Sequence, residues 1–175
     1  MPYLPSVLHV VQYHPAIPQN TGNIARTTVG FGAQLHLIHP MTFEITDHAV
    51  KRAGLDYWPS VQLTEHESDD AFLSWLAKHQ KTSKAAVWLV TKFGDLRFNR
   101  ATYGPNDVLI FGNENTGLPD DWHERFKPER QRNSCGGRIE IPMPGPANGD
   151  PNIRSFNVAN TVAIVLATAT AQHLA

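Results

Sequence analysis

The chain has 175 residues, 41% hydrophobic and 18% charged, which suits one ordinary domain with a real core and excludes a disordered tail. Its formal net charge is −1, so composition shows none of the basic excess that accompanies non-specific phosphate binding. No run approaches the roughly 18 apolar residues of a membrane span, the opening Met1-Pro2-Tyr3-Leu4-Pro5 has no basic n-region, and Cys135 alone can form no internal disulfide, so a cytoplasmic protein with an incidental thiol is expected.

Residues 7–13 predict a first strand, apolar and rich in β-branched side chains. A turn follows at 14–18. Asn20 or Thr21 can then cap a helix that runs to about Phe31, with Gly32 at its C-terminal end. Residues 35–39 predict a second strand closed by Pro40, with His36 and His39 as strand-end residues. Asp47 can cap a short helix through Ala53, and Ser68 opens a better one carrying Phe72, Leu73, Trp75 and Leu76 on one stripe.

Residues 85–91 and 108–111 read as two buried strands. Pro119 marks a helix start, where Asp120, Asp121 and Glu124 suit the positive end of the dipole. Residues 138–141 predict the last strand. Residues 157–174 predict a long helix whose Val158, Val162, Ile164, Val165 and Leu166 cover more than one face, so it is buried or packs on a second subunit. Strands alternating with helices predict an α/β fold, a mostly parallel sheet flanked by helices, in one domain spanning 1–175.

Nine histidines are many, but none falls in a metal-binding spacing with carboxylate or thiolate partners, and no metal is expected. The segment 125–138 sets Arg125, Lys127, Arg130, Arg132 and Arg138 against one acid, Glu129. It is either a local RNA patch or a solvated loop of mixed charge. Breaker-rich segments at 133–137 and 142–151 flank the last strand, and long loops within a domain are often functional.

Three polar motifs stand out. The first, Pro18 to Arg26, follows the first strand, where ligands of open α/β sheets bind. Asn20, Thr21 and Asn23 offer neutral hydrogen-bonding groups, and Arg26 can project back beside them to hold a phosphate or carboxylate. An N-capped helix with an ordinary surface arginine is the other reading. The second motif, Leu109 to Pro119, is a strand running into a turn with Gly112, Gly117 and Glu114, then a helix. Its glycines would let backbone approach a ligand closely. It is neither a Rossmann fingerprint nor a P-loop, and on its own it is equally a tight turn with a helix cap. The third motif, Arg154 to Thr161, crowds polar groups at the start of an apolar helix. Ser155 or Asn157 can cap that helix. Arg154 sits where the dipole is already positive, which favours an anionic partner nearby.

Taken in order, Asn20-Thr21-Gly22-Asn23-Ile24 with Arg26, Phe111-Gly112 with Glu114 and Gly117-Leu118-Pro119, Ile141-Pro142-Met143, and Arg154-Ser155 with Asn157 and Asn160 resemble the SPOUT superfamily of knotted methyltransferases. The resemblance is strongest to its short branch, the tRNA (cytidine/uridine) 2′-O-methyltransferases of the wobble nucleotide. Pro40-Met41, the run from Arg52 to Tyr57, and Thr91-Lys92 match that branch too.

The resemblance implies a C-terminal trefoil knot, which ordinary folding rules would not predict. It also implies a homodimer, a tRNA substrate, and S-adenosylmethionine as methyl donor without a metal. Carried over by position, Leu89, Thr91, Gly112, Ile141, Met143 and Ser155 hold the cofactor. Arg26 is the central catalytic residue, with Asn20, Glu114, Ser155 and Asn157 around it, and Arg26 and Arg154 face RNA. Thr116 stands where relatives usually carry arginine, and 120–140 and 144–153 look longer than usual. Arg130 and Arg132 are therefore expected to substitute in RNA binding. The alternatives are a 2′-O-methyltransferase of another tRNA or rRNA position and a catalytically silent RNA-binding relative.

Overall fold

The computed structural model describes residues 7–45, 56–127, 136–145 and 152–174. The helix expected from Asp47, the matching residues Arg52 to Leu55, Cys135, Arg130 and Arg132 lie outside the described residues.

The strands are β1 (His9–Tyr13), β2 (Gln34–Ile38), β3 (Leu63–His66), β4 (Val87–Val90), β5 (Leu96–Arg97), β6 (Val108–Phe111) and β7 (Gly136–Glu140). They form one sheet in the order β3-β2-β1-β6-β4-β7-β5, and every pairing is parallel. A parallel sheet is covered on both faces, so its central strands are apolar throughout. All four residues of β4 and of β6 are buried.

Alternation along the strands sorts the core into two layers. Val10, Trp88, Val90, Leu109 and Phe111 face one side. There they meet Ile24 and Ala25 of α1 (Pro18–Phe31), and Val162, Val165 and Leu166 of the C-terminal helix (Val158–Leu174). Val11, Val87, Leu89, Val108 and Ile110 face the other side. Their partners are Phe72 and Leu76 of α2 (Asp69–Ser83), and Trp122 of the short α3 (Asp120–Arg125). The C-terminal helix is α4. Each fully buried Leu, Ile or Phe in these layers contributes about 1.5–3 kcal/mol of transfer free energy.

Helix boundaries follow local chemistry. Ser68 accepts a hydrogen bond from the Ala71 N–H and caps α2 as expected. Gly32 ends α1 in the left-handed conformation. Asn157 caps α4, its Oδ1 accepting from Ala159 N at 2.8 Å and Asn160 N at 3.3 Å.

Two expectations are corrected. Neither Asn20 nor Thr21 caps α1. Ile17 is the N-cap residue and Pro18 enters the first turn with its φ already suited, so both polar side chains are released for other use. His36 is not a strand-end residue. It lies within β2, fully buried, bonded through Nε2 to His9 Nδ1 at 2.9 Å and through Nδ1 to His66 Nε2 at 3.0 Å. The edge strands β3 and β5 carry no apolar run and were not expected.

Candidate active site

The order of the sheet sets the site. Chain connections leave β1 toward β2 on one side, while β6 and β4 lie on the other, and a crevice opens beyond the carboxyl ends where the winding reverses. A cavity of about 710 Å³ lies there. It is walled by residues that follow β1, β4, β6 and β7 and by the segment leading into α4.

Glu114 is the hub of this crevice. Its Oε1 accepts hydrogen bonds from Gln12 Nε2 at 3.0 Å, Ile17 N at 3.2 Å and Asn20 Nδ2 at 3.4 Å, and its Oε2 accepts from Ala16 N at 2.9 Å. A carboxylate so supplied is an anchor for the loop after β1, with little acceptor capacity left for a substrate proton. Asn20 passes the connection on, its Oδ1 accepting from Asn157 Nδ2 at 2.9 Å. One residue from each of the three sequence motifs therefore meets in one hydrogen-bonded chain.

Gln12 completes the chain from beneath. It is wholly buried in β1, donates to Glu114, and accepts from Thr21 Oγ1 at 3.0 Å. No expectation was attached to it. The signal was present in the sequence, since a glutamine inside the apolar run His9–Tyr13 must find partners once buried.

The two glycines of the second motif pack against each other in the cavity wall. A Cβ on Gly112 would lie 2.7 Å from the Gly117 carbonyl carbon, and Gly117 has φ +72°. Asn113 and Gly117 exchange backbone hydrogen bonds of 3.0 and 2.9 Å, which closes a tight loop that presents Glu114 inward.

Of the residues expected to hold a cofactor, Thr91, Gly112, Ile141, Met143 and Ser155 line the cavity. Leu89 does not. It is fully buried in the layer under α2, and alternation puts its neighbour Val90 on the wall instead. Of the residues expected in catalysis, Asn20, Glu114, Ser155 and Asn157 line the cavity, as does Arg154 from the RNA-facing set.

Arg26 does not line it. Six residues of helix separate Arg26 from Asn20, about 240° around the axis at 3.6 residues per turn, so one is buried and the other exposed. The Arg26 guanidinium lies 5.6 Å from the ring centroid of Tyr57, whose hydroxyl donates to the Gly22 carbonyl at 2.7 Å. Burial raises the Tyr57 pKa and the Arg26 charge opposes that rise, so the phenol stays neutral. Within the basic stretch, Arg138 is committed to Asp95 through two hydrogen bonds of 2.7 and 2.6 Å, and Lys127 pairs with Glu124. The Arg138 partnership holds the Asp95 carboxyl below its usual pKa range.

The wall suits a phosphate-free nucleoside. Val90, Phe111, Ile141 and Met143 are apolar, the loop 112–118 brings backbone polar groups, and among the described residues the wall holds no glycine-rich phosphate cradle. Adenosine bearing a sulfonium side chain meets these requirements without phosphate contacts.

Comparison with known proteins agrees. Residues 7–167 match the model of the SpoU rRNA Methylase family. A tRNA (cytidine(34)-2′-O)-methyltransferase from Methylovorus glucosotrophus is 35% identical over 164 residues, covering 94% of each chain. One of the same name from Burkholderia ambifaria is 36% identical over 160 residues, covering 91% of this chain and 92% of the relative. A solved structure described as giving insight into the 2-OH methylation of C/U34 on tRNA superposes with a TM-score of 0.80 at 38% identity, over 98% of this chain and 93% of its own.

Proposed function

The chain belongs to the SpoU rRNA Methylase family, and from that premise we propose that it transfers a methyl group from S-adenosylmethionine to the ribose 2′-oxygen of the wobble pyrimidine in a tRNA anticodon. The observation that carries this reading is the hydrogen-bonded chain Asn157–Asn20–Glu114 at the lip of a cavity shaped for a nucleoside without phosphate.

Bound S-adenosylmethionine would supply an electrophilic methyl on sulfur. The rest is positioning and exclusion of water. Thr91, Gly112, Ile141 and Met143 hold the donor, and Ser155, which lines the same cavity, orients the ribose hydroxyl. Glu114, Asn20 and Asn157 act as a brace that keeps the loop after β1 in place. Arg26 meets the RNA from the exposed face of α1, outside the cavity, where it binds a backbone phosphate. At the cavity itself the cations are Lys92 and Arg154.

The homodimer and the C-terminal knot belong to the same proposal. Ile164, an apolar side chain 38% exposed on α4, supports a second copy covering that helix. A cytoplasmic location follows from a tRNA substrate, and no described helix is long and apolar enough to cross a membrane. Arg130 and Arg132 are proposed to supply RNA contacts where Thr116 replaces an arginine, so neutralising both should lower tRNA affinity and flatten its salt dependence. Unchanged affinity and salt dependence would remove that assignment.

The test is incubation with methyl-labelled S-adenosylmethionine and bulk tRNA, followed by nucleoside analysis. Label in a 2′-O-methylpyrimidine is expected. Label in another nucleoside would move the substrate to a different RNA position, and absence of cofactor binding would overturn the reading.

A further inference from the structure

We propose that Phe93 is a stacking platform for a nucleobase of the bound RNA strand beside the ribose being methylated, an inference that rests on the function proposed above. Phe93 lines the cavity mouth and is 62% exposed, one of the two most exposed large apolar side chains among the described residues. An exposed ring costs hydrophobic free energy that the folded chain does not recover.

The ring is nevertheless mounted on a fixed segment. The Phe93 N–H donates to Thr91 Oγ1 at 3.2 Å, and Thr91 N donates to the Ile139 carbonyl at 2.9 Å. On the far side, Asp95 N donates to the Arg138 carbonyl at 3.0 Å, and the Asp95 carboxylate receives the Arg138 guanidinium through both oxygens. Between them Gly94 lies against β7 so closely that a Cβ there would run into the Ile139 carbonyl carbon and sit 2.5 Å from the Glu140 nitrogen. The His123 ring packs against the Phe93 ring in a T-shaped contact, with centroids 5.9 Å apart at 74°. The loop is thus held at both ends while the ring stays largely exposed, with Lys92 Nζ over it.

The surroundings select the occupant. Lys92 Nζ lies 5.1 Å from the Phe93 centroid, and Arg154 stands on the same cavity. An apolar protein surface would desolvate both cations without compensation. A nucleotide fits both needs, because its base has an apolar face for the ring and its phosphate pairs with the cations. Phe156, 42% exposed on the same cavity, offers a second apolar surface for the strand.

The test compares Phe93→Ala, Phe93→Leu and Phe93→Trp with the unaltered protein. Methyl transfer is measured against tRNA concentration, cofactor affinity by calorimetry, and affinity for an anticodon stem–loop RNA by fluorescence anisotropy. Alanine and leucine should each raise the tRNA KM and the RNA Kd by about tenfold or more, as loss of a stacked base does. Tryptophan should restore both, and cofactor affinity should stay unchanged in all variants. If leucine performs like phenylalanine, ring stacking is not the role and the proposal fails. If cofactor affinity falls while RNA binding holds, Phe93 covers the cofactor and the proposal again fails. Should the unaltered protein methylate no RNA, the enzymatic reading is lost, while the anisotropy series still decides the platform by the same pattern.

Discussion

The side-chain amide of Asn157 donates to Asn20 Oδ1 at 2.9 Å across 137 positions of chain, while the other end of the Asn157 side chain caps α4. The two jobs use different atoms, so they can be separated. Asn157→Asp keeps the capping oxygen but replaces the donor with a second carboxylate oxygen. It should keep the cap while reducing kcat by about tenfold or more, in line with loss of a positioning contact. Asn157→Ala loses both, and should also cost about 1 kcal/mol of stability through the missing cap. Thermal melts beside initial rates check both variants. Equal activity in Asn157→Asp and the unaltered protein would remove the contact from the positioning of the site.

Gln12 predicts a linked loss of stability and activity. Gln12→Leu keeps the volume but takes a donor from Glu114 and an acceptor from Thr21, both in a water-poor interior. A buried polar group left without its partner costs about 1–3 kcal/mol. Urea denaturation should show a loss in that range, and methyl transfer should fall because the loop carrying Ala16, Ile17 and Asn20 is less firmly held. A variant as stable as the parent would mean that the chain through Gln12 contributes nothing net.

The histidine ladder predicts an acid-sensitive fold. His9, His36 and His66 are linked in sequence across β1, β2 and β3, with Trp75 against all three rings and His79 against the ring of His9. Burial, reinforced by neighbouring imidazoles at His9 and His36, lowers His9 from its ordinary value near 6.5 to about 4 and His36 to about 2, and burial lowers His66 as well. These groups are neutral in the fold and charge in the unfolded chain once pH drops below about 6.5, so the unfolded state then binds more protons. Stability should be fully present above that value. It should fall with pH through the folded value of His9, each histidine contributing about 1 kcal/mol per pH unit. Denaturant titrations at pH 7.5, 6 and 5 measure the slope, and a flat profile would contradict the ladder being held neutral.

Arg26 predicts a geometric requirement. If its role is to grip a phosphate through a planar fork, Arg26→Lys should keep the charge yet recover little of the rate, with cofactor affinity unchanged. Near-complete recovery by lysine would show that charge alone suffices.

Much of this was legible in the sequence, for identifiable reasons. Residues 108–111 were expected as a strand and are one, because the run is apolar on both faces. Edge strands such as Leu63–His66 are half-solvated and mixed in composition, so no pattern announces them. Asn20 and Thr21 looked like caps because their side chains suit caps, yet Pro18 started the helix earlier, which left Asn20 to bond Glu114 and Thr21 to bond Gln12. The motif residues that line the cavity were legible from the family resemblance that their order carries. The outward face of Arg26, the inward burial of Leu89 and the partners of Gln12 depend on helix phase, strand alternation and contacts over about a hundred positions, which local patterns do not encode.

The central claim is that the methyl acceptor is the 2′-oxygen of the wobble pyrimidine. The most direct measurement offers two otherwise identical tRNAs, one with an ordinary ribose at the wobble position and one with a 2′-deoxyribose there, and counts labelled methyl groups transferred to each. Transfer to the first alone is predicted. Equal transfer to both would place the acceptor elsewhere and contradict the account.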